Sequence, residues 1–120
     1  MSNIKFYINK ENKNNFIASN GDLKKEGYVE LKANTTDASL EKHVPVYEII
    51  DDKIKVTVGS TIHPMTEQHY IMWIALVHDT EVNMIKLKPT DKPEVEFNYY
   101  ANSEIYAYCN IHGLWTSNVK

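Results

Sequence analysis

The sequence predicts an all-β fold, a sandwich or barrel built from short strands. Three observations carry that reading. Strand-like runs recur about every 8–12 residues from Val44 onward, with turn signals between them. Lys53-Ile54-Lys55-Val56-Thr57-Val58 alternates strictly, which puts Ile54, Val56 and Val58 on one buried face. Tyr70 to Val77 is an unbroken apolar run, whose length suits a strand buried on both faces.

Taken in order, Ile4 to Ile8 reads as a short strand, and Asn9 to Asn15 as a polar loop. Asn20-Gly21 is a turn, and Gly27 to Leu31 a second strand. Two short strands do not make a stable unit, so residues 1–31 form a small appendage that must lean on the main domain or a partner. Residues 32–43 link it to that domain, with Asp37 as a helical cap. Val44 to Ile50 is a strand whose Pro45 places it at a sheet edge. Asp51-Asp52 turns into the alternating strand, and Gly59 ends it. Ser60 to Gln68 is a loop. Beyond the apolar run, His78-Asp79-Thr80 turns into Glu81 to Leu87. Val95, Phe97 and Tyr99 alternate, Ile105 to Cys109 leads to Gly113, and Leu114 to Val119 closes the main domain, residues 32–120.

Composition narrows the function. The chain has 120 residues, 42% of them apolar, and a net charge of −3, which is ordinary for a globular domain and poor for a nucleic-acid binder. All 13 basic residues are Lys, whereas bidentate phosphate sites favour Arg. No apolar run is long enough to span a membrane, and the first residues lack the pattern of a signal peptide, so the expected location is cytoplasmic. The single cysteine, Cys109, has no partner for an internal disulfide.

Cys109 and His112 flank a strand-end turn, and Gly113 gives that turn its freedom. His43 precedes a strand, and His63 and His69 bracket a loop. All five lie at element ends, where a sandwich gathers side chains on one rim. Four imidazoles and one thiolate suit iron, copper or zinc rather than calcium or magnesium. Five ligands exceed a tetrahedral zinc site and leave one position open on an ion such as iron. The site charge would be positive, which attracts small anions, and an axial thiolate would push electron density toward the open position. Taken singly, a histidine is more often a satisfied core or surface group, and a lone cysteine a small buried hydrophobe. His78 has no companion and reads as solvated.

Glu41-Lys42-His43-Val44-Pro45, His63-Pro64-Met65, His69 and Cys109-Asn110-Ile111-His112-Gly113-Leu114-Trp115 occur in an order and spacing that resemble the superoxide reductase domain of desulfoferrodoxin and neelaredoxin. The resemblance implies an immunoglobulin-like β sandwich with one mononuclear iron. His43, His63, His69 and His112 would bind in the equatorial plane and Cys109 on the axis. The implied reaction reduces superoxide by one electron to hydrogen peroxide. Lys42 would draw superoxide in and help deliver protons, and Glu41 would occupy the open position in the ferric state. Backbone N–H groups after Cys109 would hydrogen-bond its sulfur. Without the resemblance, Glu41-Lys42 reads as a solvated pair.

The N-terminal segment resembles a desulforedoxin-like domain that has lost its cysteines. Asn9 and Asn12 stand where the first cysteine pair would be, and Leu23-Lys24 near the second. No second iron can bind there, so the segment would be a relic kept for dimer or higher homo-oligomer contacts, and an external donor such as a rubredoxin would supply electrons. Three other functions compete. A cupredoxin-like copper carrier wants a Met soon after His112, and none follows. A metal-free sandwich that binds a partner predicts that His-to-Ala changes matter little. A zinc hydrolase would be overfull.

Overall fold

The structure is a computed structural model and describes residues 3–36, 38, 40–61 and 63–120. Asp37, the expected cap, lies outside the described residues. The elements are β1 (Ile4–Asn9), β2 (Phe16–Asn20), β3 (Tyr28–Leu31), α1 (Leu40–His43), β4 (Pro45–Ile50), β5 (Lys53–Val58), β6 (Ile71–His78), β7 (Glu81–Lys86), β8 (Glu94–Asn98), β9 (Glu104–Cys109) and β10 (Gly113–Asn118). They form three antiparallel sheets, ordered β2-β1-β3, β10-β9-β6-β7 and β4-β5-β8. No helix among the described residues is long and apolar enough to cross a membrane.

The four-stranded and three-stranded sheets of residues 45–118 make the expected sandwich. Ile54, Val56 and Val58 of β5 face Ile71, Ile74 and Leu76 of β6 and Ile105, Ala107 and Cys109 of β9. The alternation in β5 is therefore core on one side and solvent on the other. Pro45 begins an edge strand, where its missing N–H costs no ladder hydrogen bond. Asp51 and Asp79 take positive φ in the two-residue hairpin turns after β4 and β6, a backbone that Asp tolerates better than most residues. His78 closes β6 rather than opening the turn, and it is half-buried, stacked on Tyr100 with ring centroids 4.5 Å apart.

The full burial of β6 has a physical source on each side. Its second face, Met72, Trp73, Ala75 and Val77, packs against Ile4, Phe6 and Ile8 of β1 together with Tyr106, Tyr108 and Leu114. The four-stranded sheet is thus the middle of three layers. A bulge between Ile71 and Trp73 resets the alternation, so that Met72 and Trp73 join the same core while Ile71 and Ile74 join the other. The appendage leans on the sandwich, as its size requires. It holds three strands rather than two, because Phe16–Asn20 pairs with β1 and sets Phe16 against Trp73, with centroids 5.4 Å apart.

The link between the N-terminal sheet and α1 is pinned across β10. The Asn34 N–H donates to the Leu114 carbonyl, and the Thr116 N–H donates to Asn34 Oδ1. Gly113 opens β10 with φ +81°, and a Cβ there would sit 3.0 Å from Thr36 Oγ1. Only glycine meets both demands without strain.

Candidate metal centre

Three stretches converge at one end of the sandwich. α1 delivers His43 into the interior, where it is buried. The 59–70 loop delivers His63 and His69. The Thr66 N–H donates to the His69 carbonyl, and the His69 N–H donates to Thr66 Oγ1, so this stretch closes on itself before β6 begins. The β9–β10 turn delivers Cys109 and His112.

Asn110 ties the second stretch to the third. Its side-chain oxygen accepts from the Tyr70 N–H, its amide donates to the Gln68 carbonyl, and its own N–H donates to the Tyr70 carbonyl. Trp115 ties the first to the third. Its fully buried ring stacks on His43 at 5.0 Å, and its Nε1–H donates to the His112 carbonyl. Neither positioning role is readable from the sequence, where both residues appear only as parts of a motif. The signal was their adjacency to ligand-type residues.

The four imidazoles form a closed square. Ring centroids are 4.7 Å apart for His43–His63, 4.6 Å for His63–His69, 5.0 Å for His69–His112 and 4.7 Å for His112–His43. Each adjacent pair meets edge to face, at 74° to 87°. Across the square, His43 and His69 are 6.2 Å apart and inclined by only 30°. Donor atoms of His43, His69, Cys109 and His112 all lie within 4.8 Å of one another. His63 lies outside that group, although its ring completes the square.

The hydrogen bonding shows which nitrogens face inward. His63 Nδ1 sits 2.7 Å from the Pro64 carbonyl, so it carries the proton and leaves the Nε2 lone pair free. The buried Nε2 atoms of His63 and His69 have no hydrogen-bond partner among the described residues. His43 Nε2 lies 3.0 Å from His112 Nδ1. Two nitrogens each about 2.1 Å from one metal ion, at right angles, would be about 3.0 Å apart. A hydrogen bond would explain that pair alone, but it leaves the other two buried nitrogens at an uncompensated cost.

The sulfur lies beside these rings. Cys109 is fully buried, with Sγ 4.0 Å from His112 Nδ1. The His112 N–H donates to Sγ at 3.4 Å, as expected for a residue after Cys109, and the Ile111 N–H acts on the same sulfur. Burial pushes the thiol pKa up, against the pull of those two N–H groups and of Lys13. Burial, with the other three histidines adding to it, pushes His63 down to about 4. His69 is lowered by burial, then by His112, His43 and Lys42. Both imidazoles are therefore neutral near pH 7, the state in which they bind metal. The arrangement can hold one transition-metal ion with imidazole nitrogen and thiol sulfur as its donors.

Of the two residues expected to handle substrate, Lys42 is exposed and close enough to His69 to depress its pKa. The side chain of Glu41 lies outside the described residues.

A desulfoferrodoxin family profile matches residues 35–118. The chain is 45% identical over 94 residues to a desulfoferrodoxin of Clostridium acetobutylicum, covering 78% of this chain and 75% of that one. It is 37% identical over 100 residues to a superoxide reductase of Pyrococcus abyssi, covering 67% and 87%. Among solved structures, the superoxide reductase of Treponema pallidum superposes with a TM-score of 0.68 at 39% identity, covering 75% of this chain and 77% of that one. Extending across the sandwich and every stretch that builds the square of imidazoles, this similarity places the chain in the desulfoferrodoxin family.

Proposed function

We propose that this chain is a superoxide reductase, in which His43, His63, His69, His112 and Cys109 would hold one iron. The observation that carries the reading is the closed square of four imidazoles beside one buried thiol sulfur. Five protein donors leave one octahedral position for a small anion, and relatives named superoxide reductase share the fold. When bound, the iron supplies one electron per turnover, so superoxide, one electron and two protons give hydrogen peroxide.

The side chains do the rest. His63 is fixed by its bond to Pro64, and His43 is braced by Trp115, so the plane is set before substrate arrives. The N–H groups of Ile111 and His112 hold the sulfur and temper its charge. The Lys42 ammonium, exposed beside His69, attracts the anion and carries protons toward it through water. Glu41 would serve as a further, exchangeable donor to the oxidised iron.

The chain has one cysteine, and that cysteine belongs to this centre, so no second thiolate-bound iron forms. The electron therefore comes from an external donor, of which a rubredoxin is an example. Residues 1–31 are a metal-free desulforedoxin-like relic. Asn9 Oδ1 accepts the N–H groups of Glu11 and Asn12, and Tyr7 Oη accepts that of Leu23, so the loops that thiolates would have organised are satisfied by oxygen.

Iron reconstitution with metal analysis and optical spectroscopy tests the site. We expect one iron per chain and a sulfur-to-iron charge-transfer band on oxidation. Copper with intense blue absorption, or no transition metal at all, would overturn the reading. Lys42→Ala is expected to slow superoxide reduction by about tenfold and to flatten its ionic-strength dependence, as loss of a steering charge does.

A further inference from the structure

The N-terminal sheet reaches the centre through one side chain. Lys13, in the loop between β1 and β2, donates from Nζ to the carbonyl oxygen of Asn110, 2.5 Å away and 97 positions along the chain. That carbonyl is one end of the peptide group that joins Asn110 to Ile111. The other end is the Ile111 N–H, which acts on the Cys109 sulfur and draws its pKa down. In a trans peptide the two ends point in opposite directions, and no peptide bond among the described residues is cis. Ammonium, peptide and sulfur thus lie in series. A cation on the carbonyl side draws electron density from the amide and makes its N–H a stronger donor.

We propose that Lys13 is a positioning residue that polarises the Asn110–Ile111 peptide and through it weakens electron donation by the Cys109 sulfur. This rests on the iron reading given above. The consequence is a higher reduction potential, because a less donating thiolate stabilises the ferric state less. It gives the appendage a task in the reaction, although it holds no metal. The placement of the ammonium agrees: among the influences on the buried thiol, Lys13 acts in the same direction as the two N–H groups.

Two readouts test the proposal on Lys13→Ala, with Lys13→Arg as rescue and Lys10→Ala as a control lysine from the same loop. In the metal-free protein, the Ile111 amide proton is expected to move upfield in Lys13→Ala and to return in Lys13→Arg. In the iron-loaded protein, the ferric-to-ferrous ratio at a fixed applied potential is expected to rise about threefold to tenfold, a fall of roughly 30–60 mV. Lys10→Ala is expected to leave both unchanged. An unmoved amide in Lys13→Ala overturns the route, and an unmoved potential overturns the tuning. An equal shift in Lys10→Ala overturns the specific contact in favour of general charge. A wild-type protein that takes up no iron would sink the functional reading, while the amide shift would still report whether Lys13 acts on Ile111.

Discussion

Two turns in this molecule repeat one hydrogen-bond pattern with different atoms. After β1, Asn9 Oδ1 accepts the N–H groups two and three residues on, those of Glu11 and Asn12. After β9, Cys109 Sγ accepts the N–H three residues on, that of His112, and the N–H two residues on, that of Ile111, acts on the same sulfur. Both turns leave the end of a strand that contributes to the core between the N-terminal and middle sheets. Only one of them lies beside four imidazoles. A strand-end turn around a polar atom is therefore only local structure. The metal chemistry comes from what the fold brings to it, namely His43, His63 and His69 from two other stretches.

The largest effect expected from this contrast is at the sulfur. Cys109→Ser keeps an acceptor of similar size, much as Asn9 does, but it removes the soft anionic ligand. The charge-transfer band should vanish, and superoxide reduction should fall by about a hundredfold or more, in line with the loss of a group that acts directly on the reacting centre. Rapid-kinetic superoxide consumption, paired with circular dichroism to confirm the fold, checks it. A variant retaining full activity would mean that an oxygen-bound turn suffices and that the contrast between the two turns is empty.

Next in size is the response of the metal-free centre to acid. Burial holds His63 down to about 4 in the folded state, against an ordinary value of 6.5 when unfolded. The unfolded chain therefore binds more protons between those values. Stability is unaffected above pH 6.5, declines as pH falls, and levels off below about 4. The total is about 3 kcal/mol for this one group. Denaturant melts of the metal-free protein at pH 7 and pH 4.5 measure it. His63→Asn should flatten that dependence, whereas a change in the Asn9 turn should not alter it.

The sequence announced the ligands because chemistry restricts them to a few residue types. His43, His63, His69, Cys109 and His112 could be named as candidates from type and placement, and as a set from the family resemblance in order and spacing. The strands from β4 to β10 were legible for a similar reason, since apolar residues recur along each and turn signals separate them. Three features were not legible. β2 is a short run ending in Ala18-Ser19-Asn20, and only Phe16 seated on Trp73 shows why it holds. The bulge at Met72 is invisible in a run where every residue is apolar, since a reset of alternation leaves no polar mark. The Lys13–Asn110 contact joins exposed residues 97 apart, a pairing that only the packing of the N-terminal sheet creates.

The smallest expected effect probes the other turn. Asn9→Ala removes the acceptor of two N–H groups at a partly exposed site, where water replaces much of what is lost. The cost should be about 1 kcal/mol, as for loss of a capping side chain. That corresponds to a fall in Tm of about 4 °C for a domain of this size. Iron content should stay at one per chain, because none of the five donors depends on that turn for its position. A thermal melt beside a metal analysis separates the possibilities. If Asn9→Ala loses iron as well as stability, the N-terminal turn braces the centre. If it loses stability alone, the oxygen-bound turn is a self-contained substitute for a metal, and the link between the two regions narrows to the contact of Lys13 with the carbonyl of Asn110.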